Sequence, residues 1–138
     1  MDIAKLELTI GKYLQRLSQK SLREIQLLCQ KEQVQAGRDF IRLSENNKYE
    51  YFLIQGVVRS YLLSPEGDEI TLSFYESCSI LSPQVTRTHQ SQSLLNFHAL
   101  TDCELIKMEA AGFEKLIEVD LEIRNFANSV LRHELMQK

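Results

Sequence analysis

Apolar positions recur every three or four residues at both ends of the chain and every second residue between them, so helices flank a strand-rich centre. Ile3, Leu6, Ile10, Tyr13, Leu14 and Leu17 predict an amphipathic helix over residues 3–17. Ser21-Leu22-Arg23-Glu24 then reads as a capping box. In such a box the serine oxygen takes an orphan backbone N–H and the glutamate reaches back. Leu22, Ile25, Leu28 and Cys29 make one apolar face behind it, and Gly37 ends the region.

From Phe40 to Met108 the period is two. Tyr49-Glu50-Tyr51-Phe52-Leu53-Ile54-Gln55 predicts a strand, Gly56 punctuates it, and residues 57–63 predict the next. Ser64-Pro65-Glu66-Gly67 is a hairpin turn: Pro65 presets φ at the first turn position, and Gly67 supplies the left-handed conformation that closes the loop. Residues 69–75 return as the partner strand. Residues 94–100 and 104–108 predict two more, separated by a turn at Thr101-Asp102, and residues 86–93 form a polar loop. Many short strands at even spacing argue for an antiparallel sandwich or barrel.

The chain closes in helices: a short one over 110–117, and a longer one over 121–138 that Asp120 can cap. The second has a wide apolar stripe, Ile123, Phe126, Ala127, Val130, Leu131, Leu135 and Met136. One face of it is expected to cover the β core, the other a second chain. The helix has no Gly cap or Pro stop before Lys138, as expected of a segment from a longer protein. The predicted division is a helical segment over 1–36, a β-roll over 37–109 and terminal helices over 110–138.

Composition narrows the function. A length of 138 residues fits one domain by the usual prior of about 100–200 residues. With 43% hydrophobic and 25% charged residues, wholesale disorder is excluded. Lys plus Arg is 16 against 19 for Asp plus Glu, so the basic excess of a nucleic-acid binder is lacking. No apolar run approaches the roughly 20 residues of a membrane span, and no membrane partner is expected. The start, Met1-Asp2-Ile3-Ala4-Lys5, has no signal-peptide pattern. Cys29, Cys78 and Cys103 form neither a CxxC nor a disulfide framework, which fits a reducing cytoplasm and buried small hydrophobes.

Tyr51-Phe52-Leu53-Ile54-Gln55-Gly56-Val57-Val58-Arg59, then Gly67-Asp68-Glu69-Ile70-Thr71-Leu72, then Ala99-Leu100-Thr101-Asp102-Cys103-Glu104-Leu105 resemble, in order and spacing, the cyclic-nucleotide-binding domain. The resemblance extends from about Leu17 to the end and points to the sensor domains of Crp/Fnr transcription regulators. It implies an α+β, mainly β fold: a double-stranded β-helix or jelly roll of about eight strands. N-terminal helices and a long C-terminal helix flank it. It also implies a homodimer through that helix. Ile123, Phe126, Ala127, Val130, Leu131 and Leu135 would carry the contact, some against the partner and some against the roll. DNA would be read only by a helix-turn-helix domain absent from this chain.

In nucleotide-binding members of that family the cyclic phosphate sits on a short helix N-terminus, with an acidic residue on the ribose and an Arg-Ser pair on the phosphate. Placing Ala99 on the alanine after that pair puts Ser93 at the Arg position, Leu94 at the Ser position, and the acidic position near Ser82. None matches. An arginine offers phosphate a fork of two charged donors. Without it, cyclic nucleotide is not expected as a cofactor.

Ser82-Pro83 is a good helix start, so Ser82, Arg87 and His89 are anion candidates. The same residues also suit a capped surface turn beside a solvated loop. Ile80, Leu81, Ser82, Ser93, Leu94 and Leu95 are ligand-pocket candidates. They either line a site for a small, more apolar effector or fill the space and leave the domain ligand-free.

Three scattered cysteines cannot hold an iron–sulfur cluster. His89, His98 and His133 lack zinc spacing, and nothing supports a haem. No GxSxG, Gly-rich phosphate loop or HExxH appears, so no enzyme is expected. Two readings of function stay open: the sensor and dimerisation domain of a regulator, or a stand-alone interaction module.

Overall fold

The computed structural model describes residues 3–11, 17–81 and 93–136, and side chains of the last helix as far as Arg132. Helices α1 (Ile3–Gly11) and α2 (Gln19–Leu27) lead into eight strands among the described residues. These are β1 (Cys29–Val34), β2 (Asp39–Ile41), β3 (Tyr49–Gln55), β4 (Val58–Leu63), β5 (Glu69–Tyr75), β6 (Ser79–Leu81), β7 (Asn96–Ala99) and β8 (Cys103–Glu109). Helices α3 (Ala110–Val119) and α4 (Leu121–Met136) follow. One sheet has the order β1-β8-β3-β6 and the other β2-β7-β4-β5. Every pairing is antiparallel.

Alternation along the strands divides the core. Tyr51 and Leu53 of β3 join Val58, Leu81, Phe97 and Leu105 between the sheets. Phe52 and Ile54 of the same strand face the other way, against the helices. Strand β3 is thus buried on both faces, which accounts for its near-continuous apolar run. The helical layer puts Leu6, Ile10, Leu22, Ile25, Phe113 and Phe126 on the outer side of the first sheet.

Two turns lock together at one end of the roll. Gly56 has φ +118, and a Cβ there would lie 2.6 Å from Cys103 Sγ. Across the same contact the Val57 N–H donates to Thr101 Oγ1 at 3.0 Å, and the Leu100 N–H to the Val57 carbonyl at 2.9 Å. Glycine is required at this position both for its left-handed backbone and for its missing side chain.

Several local expectations are corrected. The cap of α2 is Ser18, whose Oγ accepts the Ser21 N–H at 3.2 Å; Ser21 lies in the first turn instead. The buried Ser21 hydroxyl points at the start of α4, 2.7 Å from Asp120 Oδ2 and 3.0 Å from Glu122 Oε2. That tertiary tie selects Ser18 over Ser21 as the cap. Leu17 lies outside the helices, and residues 12–16 lie outside the described residues. Cys29 belongs to no helix face: it opens β1 opposite Met108, so the roll begins at Cys29 and not at Gly37. Asp120 does cap α4, its Oδ1 accepting the Ile123 N–H at 3.2 Å. Arg124 donates from its first turn to the Ile117 and Glu118 carbonyls at the end of α3, both at 3.0 Å. Those carbonyls have no intrahelical partner of their own.

Candidate effector pocket inside the roll

The inner faces of the two sheets meet in an apolar cluster where the expected pocket would lie. Leu81 is fully buried there, and Leu95 packs with it. Ser93 is also buried, but its hydrogen bonds are already made. Its Oγ donates to the Leu95 carbonyl at 2.6 Å and accepts the Leu95 N–H at 3.3 Å. Its backbone bonds to Ser44 and Glu45. Ser93 therefore fastens a loop to the roll.

Two pocket candidates lie elsewhere. Ile80 neighbours Leu81 in β6, and alternation turns it to the outer side, into the cluster under the helices. Leu94 is 48% exposed, at the bend before β7. Ser82, Arg87 and His89 lie outside the described residues.

One buried polar group was not anticipated. Ser60 lies on the inner face of β4, fully enclosed, opposite Phe97 of β7 and Ser73 of β5. The signal was present in the sequence: a serine among the inward positions, which are otherwise apolar, of β4. Its neighbour Arg59 turns outward, stacks on Tyr61 with 4.3 Å to the ring centroid, and bonds to Glu69 and to Thr71 at 3.2 Å. That cation is therefore unavailable to the interior.

The outer face of the second sheet carries a closed polar network. Tyr61 Oη donates to Asp39 Oδ2 at 2.6 Å, and His98 Nδ1 lies 2.6 Å from Asp39 Oδ1. Burial pushes the Asp39 carboxyl up, but the bonds from Tyr61 and His98 outweigh it and hold the group below its ordinary value. Burial, then the Asp39 bond and charge, push the Tyr61 phenol up to about 12. His98 is thus a partnered strand side chain.

Burial also raises the Cys29 thiol to about 12, and it outweighs the hydrogen bonds at Cys103, which is raised too. Thiols in that state are poor nucleophiles and poor ligands. Among the described residues no three His, Cys, Asp or Glu side chains are grouped to hold a metal ion.

The α4 stripe is largely committed within the chain. Ile123, Phe126, Ala127 and Val130 all pack into the cluster beneath α3 and α4. These four residues form the part of the stripe that lies against the roll. Leu131 is half-buried, and the Leu135 side chain lies outside the described ones. Among the described residues no helix is long and apolar enough to cross a membrane.

A sequence profile described as "cyclic nucleotide-binding domain" matches residues 31–120. No curated protein matches the chain in sequence. The fold is similar to that of the sensor domain of the transcriptional regulator DNR from Pseudomonas aeruginosa, at 18% identity and TM-score 0.78, over 97% of this chain and 88% of that one. It is also similar to the catabolite activator protein of Thermus thermophilus, at 15% identity and TM-score 0.74. That match covers 94% of this chain but only 59% of the longer protein. A protein from Geobacter metallireducens described as cyclic nucleotide-binding matches at 13% identity and TM-score 0.76, over 96% of each chain.

Proposed function

The chain belongs to the cyclic nucleotide-binding domain family, and from that premise we propose that it is the effector-sensing and dimerisation domain of a Crp/Fnr-like transcription regulator. One observation carries the reading: nearly the whole chain superposes on the sensor domain of a transcriptional regulator. The domain takes no cyclic nucleotide through the usual contacts. Ser93 and Leu94 occupy the positions where the resemblance calls for Arg and Ser, and Ser93 is already fully bonded. The effector is a smaller, more apolar molecule. No haem or metal is used and no reaction is catalysed.

The output runs through α4. An effector moves it only by binding one arrangement of the roll and helix better than another. The contact between two copies runs along α4, whose Ile123, Phe126, Ala127 and Val130 also hold the helix to its own roll. DNA is read by a separate helix-turn-helix domain, with half-site spacing fixed by the dimer. The protein works in the cytoplasm.

Light scattering at micromolar protein, combined with a thermal-shift screen of metabolites, tests this. The expected result is a dimer, stabilised by at least one small apolar metabolite. A monomer that no metabolite stabilises contradicts the proposal. A stand-alone interaction module is the second reading. In that case a partner protein, and no small molecule, shifts the melting temperature.

A further inference from the structure

The joint between α3 and α4 is a single residue pinned by directional bonds. Asp120 alone separates the two helices, with an extended backbone at φ −122 and ψ 111. Short joints at the ends of elements are where helices commonly bend against one another. Here both carboxylate oxygens of Asp120 are engaged, Oδ1 by the Ile123 N–H at 3.2 Å and Oδ2 by the Ser21 hydroxyl of α2 at 2.7 Å. Arg124 spans the joint to the Ile117 and Glu118 carbonyls, and Phe113 meets Phe126 farther along.

Helix α2 is braced against α3 at both ends. At its start Ser21 reaches Asp120. At its end the Leu28 carbonyl accepts the Glu109 N–H at 3.1 Å. Leu28 packs so close to α3 that a Cβ on Gly112 would lie 2.6 Å from its Cδ2. The chain joins these helices to the roll at one place. Helix α2 passes into β1 through Leu28, and β8 passes directly into α3 at Glu109–Ala110. Strands β1 and β8 are neighbours, with Cys29 opposite Met108, so the two crossings lie side by side. Beyond them the helices rest on Phe52, Ile106 and Met108 of the first sheet, an apolar contact. Hydrogen bonds fix angles, whereas apolar contact is non-directional and lets a layer re-seat.

We propose that α2, α3 and α4 move as one rigid arm pivoting on the β1–β8 crossing, and that Arg124 and Ser21 lock the α3–α4 joint against bending. This rests on the reading of α4 as the output element. It adds that α4 is displaced only together with α2 and α3.

Native-state hydrogen exchange in dilute urea, followed by NMR on the whole chain, tests the arm. It needs neither effector nor dimer, so its outcome is separate from that of the sensing test. In wild type the slow amides of α2, α3 and α4 are expected to open together, with one urea dependence. The Asp120 and Arg124 N–H groups, bonded to the Leu116 and Asp120 carbonyls, should be protected with them. Arg124 is exposed, so Arg124→Ala keeps the fold. It should free α4, whose amides then exchange about tenfold or more faster than those of α3, the size of one hydrogen bond from a charged group. Ser21→Ala should likewise set the opening of α2 apart from that of α3. Arg132→Ala, at an exposed arginine two turns on, should leave the common opening unchanged. Wild-type α4 opening at lower urea than α3 overturns the arm. So does joint opening of α3 and α4 that persists in Arg124→Ala. Either result leaves the sensor reading in place.

Discussion

Replacing Phe126 by alanine tests whether α4 is held by its own roll. The ring is 1% exposed and meets Phe113 edge-to-face, with centroids 6.3 Å apart. A buried Phe→Ala change costs about 3–5 kcal/mol, from lost transfer free energy plus the cavity left behind. A domain of this size has about 5–15 kcal/mol in all, so the variant should lose roughly a fifth or more of its stability. At roughly 3–5 °C per kcal/mol, the melting temperature should fall by about 10–20 °C. Urea unfolding followed by circular dichroism, at low and at high protein concentration, reads the loss. Because Phe126 is buried within one chain, the loss should be the same at both concentrations. A loss below about 1 kcal/mol, the size of an ordinary surface change, refutes the packing. A loss that shrinks as protein concentration rises places Phe126 in an intersubunit contact instead.

Gly56→Ala should destabilise by about 1–3 kcal/mol or more, since alanine must hold φ +118 and its Cβ would meet Cys103 Sγ; a lowered urea midpoint is expected. Ser21→Ala should cost about 1–3 kcal/mol, because its hydroxyl bonds to charged carboxylates. The Ser21 bond holds the Asp120 carboxyl below its ordinary value, so its contribution is present above the unfolded pKa and is lost as pH falls through the folded one. Melts between neutral pH and pH about 3 should show a wild-type advantage that shrinks below about pH 4, near the reference value for Asp. Asp39→Asn removes the negative charge that helps to raise Tyr61, so ultraviolet titration should show that phenol ionising at lower pH in the variant than in the wild type, with burial still holding it up.

Much of the architecture is legible in the chain because burial dictates residue type. Strand β3 reads as one apolar run because it faces the interior with Tyr51 and Leu53 and the helices with Phe52 and Ile54. Strand β1 escapes the same reasoning. It is an edge strand whose Gln30, Lys31, Glu32 and Gln33 face largely to solvent, and its pairing to β8 rests on the backbone. The cap of α2 is ambiguous in the sequence, since Ser18 and Ser21 are both good capping residues. The choice lies in a contact with Asp120, 99 residues along the chain.

The α4 stripe suggested two contact faces, but its spacing does not show how much of it the roll covers. Ile123, Phe126, Ala127 and Val130, spaced as one helical face, all turn out to pack inside. Among the site candidates, strand alternation separates Leu81 from Ile80. The burial of Ser60 depends on β5 and β7 lying against β4, a tertiary arrangement that the local pattern of β4 does not carry.

The most direct measurement for the account as a whole is isothermal titration of the chain with cAMP and with cGMP. The account predicts no saturable heat for either nucleotide at concentrations up to millimolar, in a protein that a small apolar metabolite stabilises. Saturable micromolar binding of a cyclic nucleotide would contradict it, and would mean that the interior still holds a phosphate.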